Sequence, residues 1–236
     1  MTYQPSPWQQ EFQQILSNKH KEASNSLTSQ QYMIKNRKEL RFYILADRMM
    51  NRGIFKLSLG QKVKNLFLPD YVMQYLETMR KLSYYRNKGN LIWVYYHWRF
   101  QRLGLKLGYS IGPDVFGYGL VLNHYGTIVV GLKNHIGNYA IIHSSTCITS
   151  TDKHIGDGLS LSTGGKITSC QSLGNDVTIA ANSVITKSFD QDNILLAGMP
   201  ATIKSTARDA WYLNNEPFTS RQSLCEKLRV ELEITP

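Results

Sequence analysis

Membrane-spanning runs, metal-binding spacings and a cysteine framework are all missing from this chain of 236 residues. No stretch approaches the roughly 20 consecutive apolar residues that a bilayer crossing requires; the richest, 91–100, is interrupted by His97 and Arg99. Three cysteines, Cys147, Cys170 and Cys225, form neither a disulfide framework nor a metal-ligand spacing, which fits a reducing compartment. The six histidines lack the paired spacing of a zinc site and no carboxylate cluster accompanies them, so no metal is expected. The opening residues 1–14 are polar with no apolar core of a secretory signal, and the expected location is the cytoplasm.

Charge is plentiful but lopsided. The net formal charge is +10, with 18 Lys/Arg against 6 Asp/Glu in residues 1–110 and 9 against 11 in residues 111–236. A basic segment of this kind suits nucleic acid, an acidic membrane surface or an anionic small molecule. The lysines and arginines are spaced among helical apolar positions and do not form a dense block with glycines and exposed aromatics. They therefore read as a solvated helix face, and no nucleic-acid partner is expected.

What the sequence does contain is a ladder. From Ile136 an aliphatic residue returns at every sixth position: Ile142, Ile148, then Ile155, Leu161, Ile167, Leu173, Ile179 and Ile185. Helices place apolar residues at intervals of three and four and half-buried strands at two, so a six-residue interval demands a chain that turns a corner with each repeat. Fixed hexapeptide periods belong to parallel β-helices, where each coil buries its apolar edge only by stacking on the next. Small residues follow the ladder at Gly137, Thr149, Gly156, Ser162, Thr168, Gly174 and Ala180, as the cramped inside of a corner requires. One interval, Ile148 to Ile155, is seven, and the polar run 150–154 reads as a small loop pushed out of the coil.

Three segments follow from these patterns: a helical N-terminal domain over 1–105, a β-helix over 106–206, and a tail with a helix over 207–236. In the first, helices are predicted from about Ser29 to Asn51, from Asp70 to Gly89, and from Leu91 to Leu103, with 17–29 as loop. Dense glycines from Gly104 to Gly131 end the helical spacing. In the tail, Thr219 or Ser220 is placed to cap a final helix.

The segment 119–131, Gly-Leu-Val-Leu-Asn-His-Tyr-Gly-Thr-Ile-Val-Val-Gly, together with the ladder and Ala-Gly-Met-Pro-Ala at 197–201, resembles the serine acetyltransferase family of left-handed β-helix, hexapeptide-repeat acyltransferases. The resemblance covers roughly 105–206 and looks closest to the branch found among bacterial capsule and surface-polysaccharide genes. It implies acetyl-CoA as co-substrate, transfer to a hydroxyl group, and a homotrimer with active sites between adjacent coils. His124 aligns with the family's catalytic histidine, and imidazole, with a pKa near ~6.5, is suited to take the proton of an attacking hydroxyl. His143 follows a ladder residue and either lines the same cleft or is a satisfied corner histidine. His135 and His154 read as exposed, and Cys147 as a small buried filler.

For the coenzyme, the resemblance points to Thr163 and Ala181, two positions after ladder residues, to Thr186 and Lys187, and to Ala197, Gly198 and Lys204. Three positions depart from the serine-specific pattern. The family's aspartate fifteen residues before the histidine is Tyr109 here, the aspartate just before it is Asn123, and an Arg-His pair in a later loop is replaced by Thr151 and Asp152. Those are the positions that the resemblance ties to recognition of L-serine, so the expected acceptor is a sugar or polysaccharide precursor, with L-serine as the alternative. A non-enzymatic reading, a structural β-helix serving as a binding module, stands beside both.

Overall fold

A computed structural model of the protein describes residues 32–213 and 215–234; the tract 17–29 lies outside them. Its centre is a parallel β-solenoid of three faces. The first face stacks five short strands, with Ile111, Val130, Ile148, Ile167 and Ile185 in successive register. On the second, Ile136, Ile155 and Leu173 are in register, extended by single bridges at Phe116 and Phe189. The third aligns Leu122, Ile142, Leu161, Ile179 and Leu196, then closes with an antiparallel hairpin of 195–198 against 201–205. The nine ladder residues point inward, none more than 4% exposed. The predicted coil is therefore present, and the period of six is one face of an eighteen-residue turn.

Helices close and flank the solenoid. We label them α1 (Arg37–Arg52), α2 (Leu59–Phe67), α3 (Tyr71–Asn87), α4 (Ile92–Leu107) and α5 (Phe218–Glu231). Tyr75, Leu76, Met79 and Leu82 of α3 and Phe100, Leu103 and Leu107 of α4 belong to the same core as the ladder. The change near residue 105 is thus one of element type, without a break in packing. Phe42, Ala46, Met49 and Met50 of α1, with Cys225 of α5, form a second core against Tyr118, Val121, Tyr139 and Ile141 on the outer side of the third face.

Local signals account for the helix ends. Asp70 caps α3 by accepting from the Met73 N–H at 3.1 Å, and α4 ends where Gly108 turns left-handed at φ 78°. The first helix begins later than its apolar pattern suggested, because Asn36 accepts from the Glu39 N–H and fixes the start there. The tail helix begins at Phe218 after Pro217, without a side-chain cap; Thr219 instead donates to the Tyr212 and Leu213 carbonyls. Among the described residues no helix is long and apolar enough to cross a membrane.

A buried ion pair fastens α1 and α3 to the first coil. Arg80 Nε donates to Asp47 Oδ2 at 2.8 Å, while its two NH groups reach the Phe116 and Gly117 carbonyls at 2.8 and 2.6 Å. Asp47 in turn accepts from the Leu120 N–H at 3.0 Å. Both side chains are essentially without solvent contact, so every polar atom needs the partner it has.

Candidate active site

His124 sits in the turn between the third and first faces, two residues beyond inward-facing Leu122. The strand leading to it is gripped by α1: Asn51 accepts from the Leu122 N–H at 3.1 Å and donates to the Leu120 carbonyl at 2.7 Å. The turn itself rests on the end of α4. Gly126 donates to the Leu107 carbonyl at 2.8 Å and Ile128 to the Gly108 carbonyl at 3.1 Å. A side chain on Gly108 would meet Gly126 backbone atoms at 3.0 Å, and its φ is left-handed, so glycine is required there on both counts.

Tyr109 is the last support. Its ring is buried against Tyr75, and its hydroxyl donates to the His124 backbone carbonyl at 2.7 Å. Tyr109 therefore acts on His124 through the main chain. Burial pushes the Tyr109 hydroxyl up to about 12, with the Arg52 charge opposing, so the group is a neutral donor across the physiological range.

The imidazole of His124 is left exposed at the solenoid edge, and it makes no hydrogen bond among the described residues. His143, one residue past Ile142 in the next coil, is its neighbour: burial, and then the nearby His124, hold the His143 pKa below the usual histidine value. His143 is half-buried and neutral at pH 7. Asn123, beside His124, is exposed.

Successive coils stack the candidate cofactor residues on this edge. In the register of the third face, the second position after each inward residue is His124, Ser144, Thr163, Ala181 and Gly198. Ala197 precedes Gly198 in the same row. Backbone bonds tie the rungs together: Gly164 donates to the Ser144 carbonyl at 3.3 Å and Asn182 to the Thr163 carbonyl at 3.0 Å. Thr163, Ala181 and Gly198 are exposed, which leaves an open column of small side chains and main chain running away from the histidine. Thr186 and Lys187 lie on a different edge, after the first face, and Lys204 lies in the terminal hairpin. Lys187 Nζ rests 5.4 Å from the Phe189 ring centre.

Two expectations are corrected. His135 is buried at 6% exposure, because its side chain lies against the ring of His154, which alone of the pair is exposed. Cys147 is only half-buried, since it faces outward on the first face between Val129 and Lys166 in register, opposite to the ladder residues that flank it in parity. Only the first part of the run 150–154 bends out of the coil: Lys153 turns back and is fully buried, its Nζ donating to the Thr149 carbonyl and hydroxyl and to Thr151, and His154 is already in a strand paired with His135. Asp47 and Asn51 carried no sequence signal, since their partners, the Arg80 side chain and the Leu120 and Leu122 backbone, lie 33 to 73 residues away.

The fold defines a class: hexapeptide-repeat β-solenoids with helices before and after the coil. Within it, the solved structures similar to this chain are serine acetyltransferases. The enzyme from Brucella abortus strain S19 is 24% identical, covers 72% of this chain and 69% of its own, and superposes with a TM-score of 0.55. The same enzyme in complex with coenzyme A gives 23%, 72%, 68% and 0.51, and the soybean enzyme complexed with serine gives 20%, 70%, 69% and 0.53. At these identities the likeness is one of fold. No protein-family model and no curated protein sequence matches the chain.

Proposed function

We propose that the protein is an acetyl-CoA-dependent O-acetyltransferase with His124 as general base. The observation that carries this reading is the single edge on which His124 heads a column of Thr163, Ala181 and Gly198 in consecutive coils. A pantetheine arm laid along that column reaches the histidine with its thioester end. His124 takes the acceptor hydroxyl proton as the oxygen attacks the acetyl carbonyl, the carbon–sulfur bond breaks, and the thiolate leaves. No acyl-enzyme is needed, so half-buried Cys147 has no part in it. The coenzyme A complex of a solved structural neighbour supports the choice of donor.

Thr186 and Lys187 join this reading only if a second copy contributes them from its own edge, and we therefore propose the homotrimer as the active species, with Lys187 and Lys204 toward the phosphates of the donor. The solved neighbours, serine acetyltransferases and among them one complexed with serine, favour L-serine as the acceptor. The residues favour an uncharged hydroxyl of a sugar or polysaccharide precursor, because Asn123, Thr151 and Tyr109 carry no charge and Asp152, the one charged group at these positions, offers nothing for serine's carboxylate. Three free thiols fit a cytoplasmic setting.

A thiol-release assay with acetyl-CoA, offering L-serine, free sugars, nucleotide sugars and short glycans side by side, tests this. Release with at least one hydroxyl acceptor is expected; turnover with serine alone selects the alternative acceptor. Silence with every acceptor leaves the binding-module reading in its place.

A further inference from the structure

A second histidine pair lies on another face of the solenoid. His135 and His154 are nineteen positions apart, which is one coil, and register pairing sets them side by side. Their rings stack with centres 4.9 Å apart and planes 12° apart. The inserted residue in this coil brings Asp152 to them in a left-handed conformation, φ 55°. Its Oδ1 lies 3.6 Å from His135 Nε2 and 3.8 Å from His154 Nε2. The three donor atoms all fall within 4.8 Å of one another.

His135 is the informative member. Its side chain is 8% exposed, its Nδ1 is buried with no hydrogen-bond partner among the described residues, and its Nε2 faces Asp152 beyond hydrogen-bonding distance. Nε2 is the nitrogen that faces the cluster, and it has no hydrogen bond among the described residues for an ion to displace.

We propose that His135, Asp152 and His154 bind a divalent transition-metal ion of the zinc or cobalt type. Two imidazoles and a carboxylate are the donor set such ions take, and three protein ligands leave one position for water. Tetrahedral bonds of about 2.0–2.1 Å put donor atoms about 3.3 Å apart, so the cluster must close inward. Asp152 and His154, at 66% and 65% exposure, are free to rotate and do so, while buried His135 stays fixed. Lys153, between two of the ligands in sequence, points to the inner side of the loop with its Nζ on Thr149 and Thr151. Bound there, the ion clips the inserted loop to the preceding coil. The sequence showed no such site because a spacing of nineteen means proximity only once the coil length is known. This inference does not rest on acetyl transfer.

Cobalt(II) is the probe. Titrated into the tag-free full chain and followed by visible absorption, it is expected to bind once per chain with the intense bands of a four- or five-coordinate ion, and zinc is expected to displace it. His154→Ala and Asp152→Asn, both on exposed side chains, are expected to weaken binding at least roughly 10-fold with unchanged metal-free melting. His97→Ala, on α4, is expected to bind as wild type. Absence of saturable binding by the wild type, or unchanged affinity in both variants, overturns the proposal.

Discussion

The turn at His124 is held from behind, through its main chain: Tyr109 grips its carbonyl, and the end of α4 grips the residues after it. Tyr109→Phe keeps the ring packing and removes only the hydroxyl, so it is expected to cost about 1 kcal/mol of stability. Its pH signature separates it from a packing effect. The folded chain holds the Tyr109 proton up to about 12, whereas an unfolded tyrosine releases it near ~10. The contribution is complete below pH ~10 and is lost as pH climbs toward 12. Urea midpoints across that window are expected to fall less steeply in Tyr109→Phe; equal slopes contradict the assignment. His124 was legible in the sequence through its surrounding motif. Tyr109 was legible only as a departure, because nothing in a list of residues says that a tyrosine reaches a carbonyl fifteen positions on.

Among the elements, the ladder was read almost completely, since one inward aliphatic per corner imprints a period that survives every change of neighbour. The first coil was not: its inward residues Ile111, Phe116, Leu122 and Val130 are spaced five, six and eight apart, because this coil also carries the His124 turn and the contacts to α1 and α3. Close approach between coils is a second feature that periodicity hides. A Cβ at Gly131 would lie 2.3 Å from Ser150 Cβ and 2.4 Å from its Cα, where backbone and not a flexible chain end is in the way. Gly131→Ala is expected to force these coils apart at a cost of about 1–3 kcal/mol, read as a lower melting temperature; a wild-type melt refutes the contact. At α3, burial raises the Asp70 carboxyl, but hydrogen bonds from Arg52 and the Met73 N–H outweigh it and hold the pKa below the usual value. Asp70→Asn is therefore expected to lose stability at neutral pH, with the difference from wild type shrinking as pH falls below about 4.

At the scale of the molecule, helices and solenoid are joined by Asp47 and Arg80; Arg80 is one of the arginines the sequence placed on a solvated helix face, and the structure buries it on Asp47 instead. Thirty-three positions separate them, on different helices, so no local pattern pairs them. Arg80→Ala strands a buried carboxylate and is expected to cost about 3–5 kcal/mol, and replacing both residues with apolar ones of similar volume is expected to recover only part of the loss, because the Phe116 and Gly117 carbonyls and the Leu120 N–H lose their partners. Chemical denaturation of the single and double variants measures this, and a single variant as stable as wild type contradicts the clamp. Assembly belongs to the same scale. A sedimentation mass of three 27.0 kDa chains is expected, and a monomer removes Lys187 from the donor site.

Acetyl transfer at the exposed edge headed by His124 is the proposal on which the donor, the acceptor and the trimer all depend. Thiol release from acetyl-CoA in the presence of the best hydroxyl acceptor, compared between wild type and His124→Ala with matched folding and mass, tests it most directly. A fall in turnover of roughly 10²–10⁴-fold is the predicted result, and equal turnover by the two proteins contradicts it.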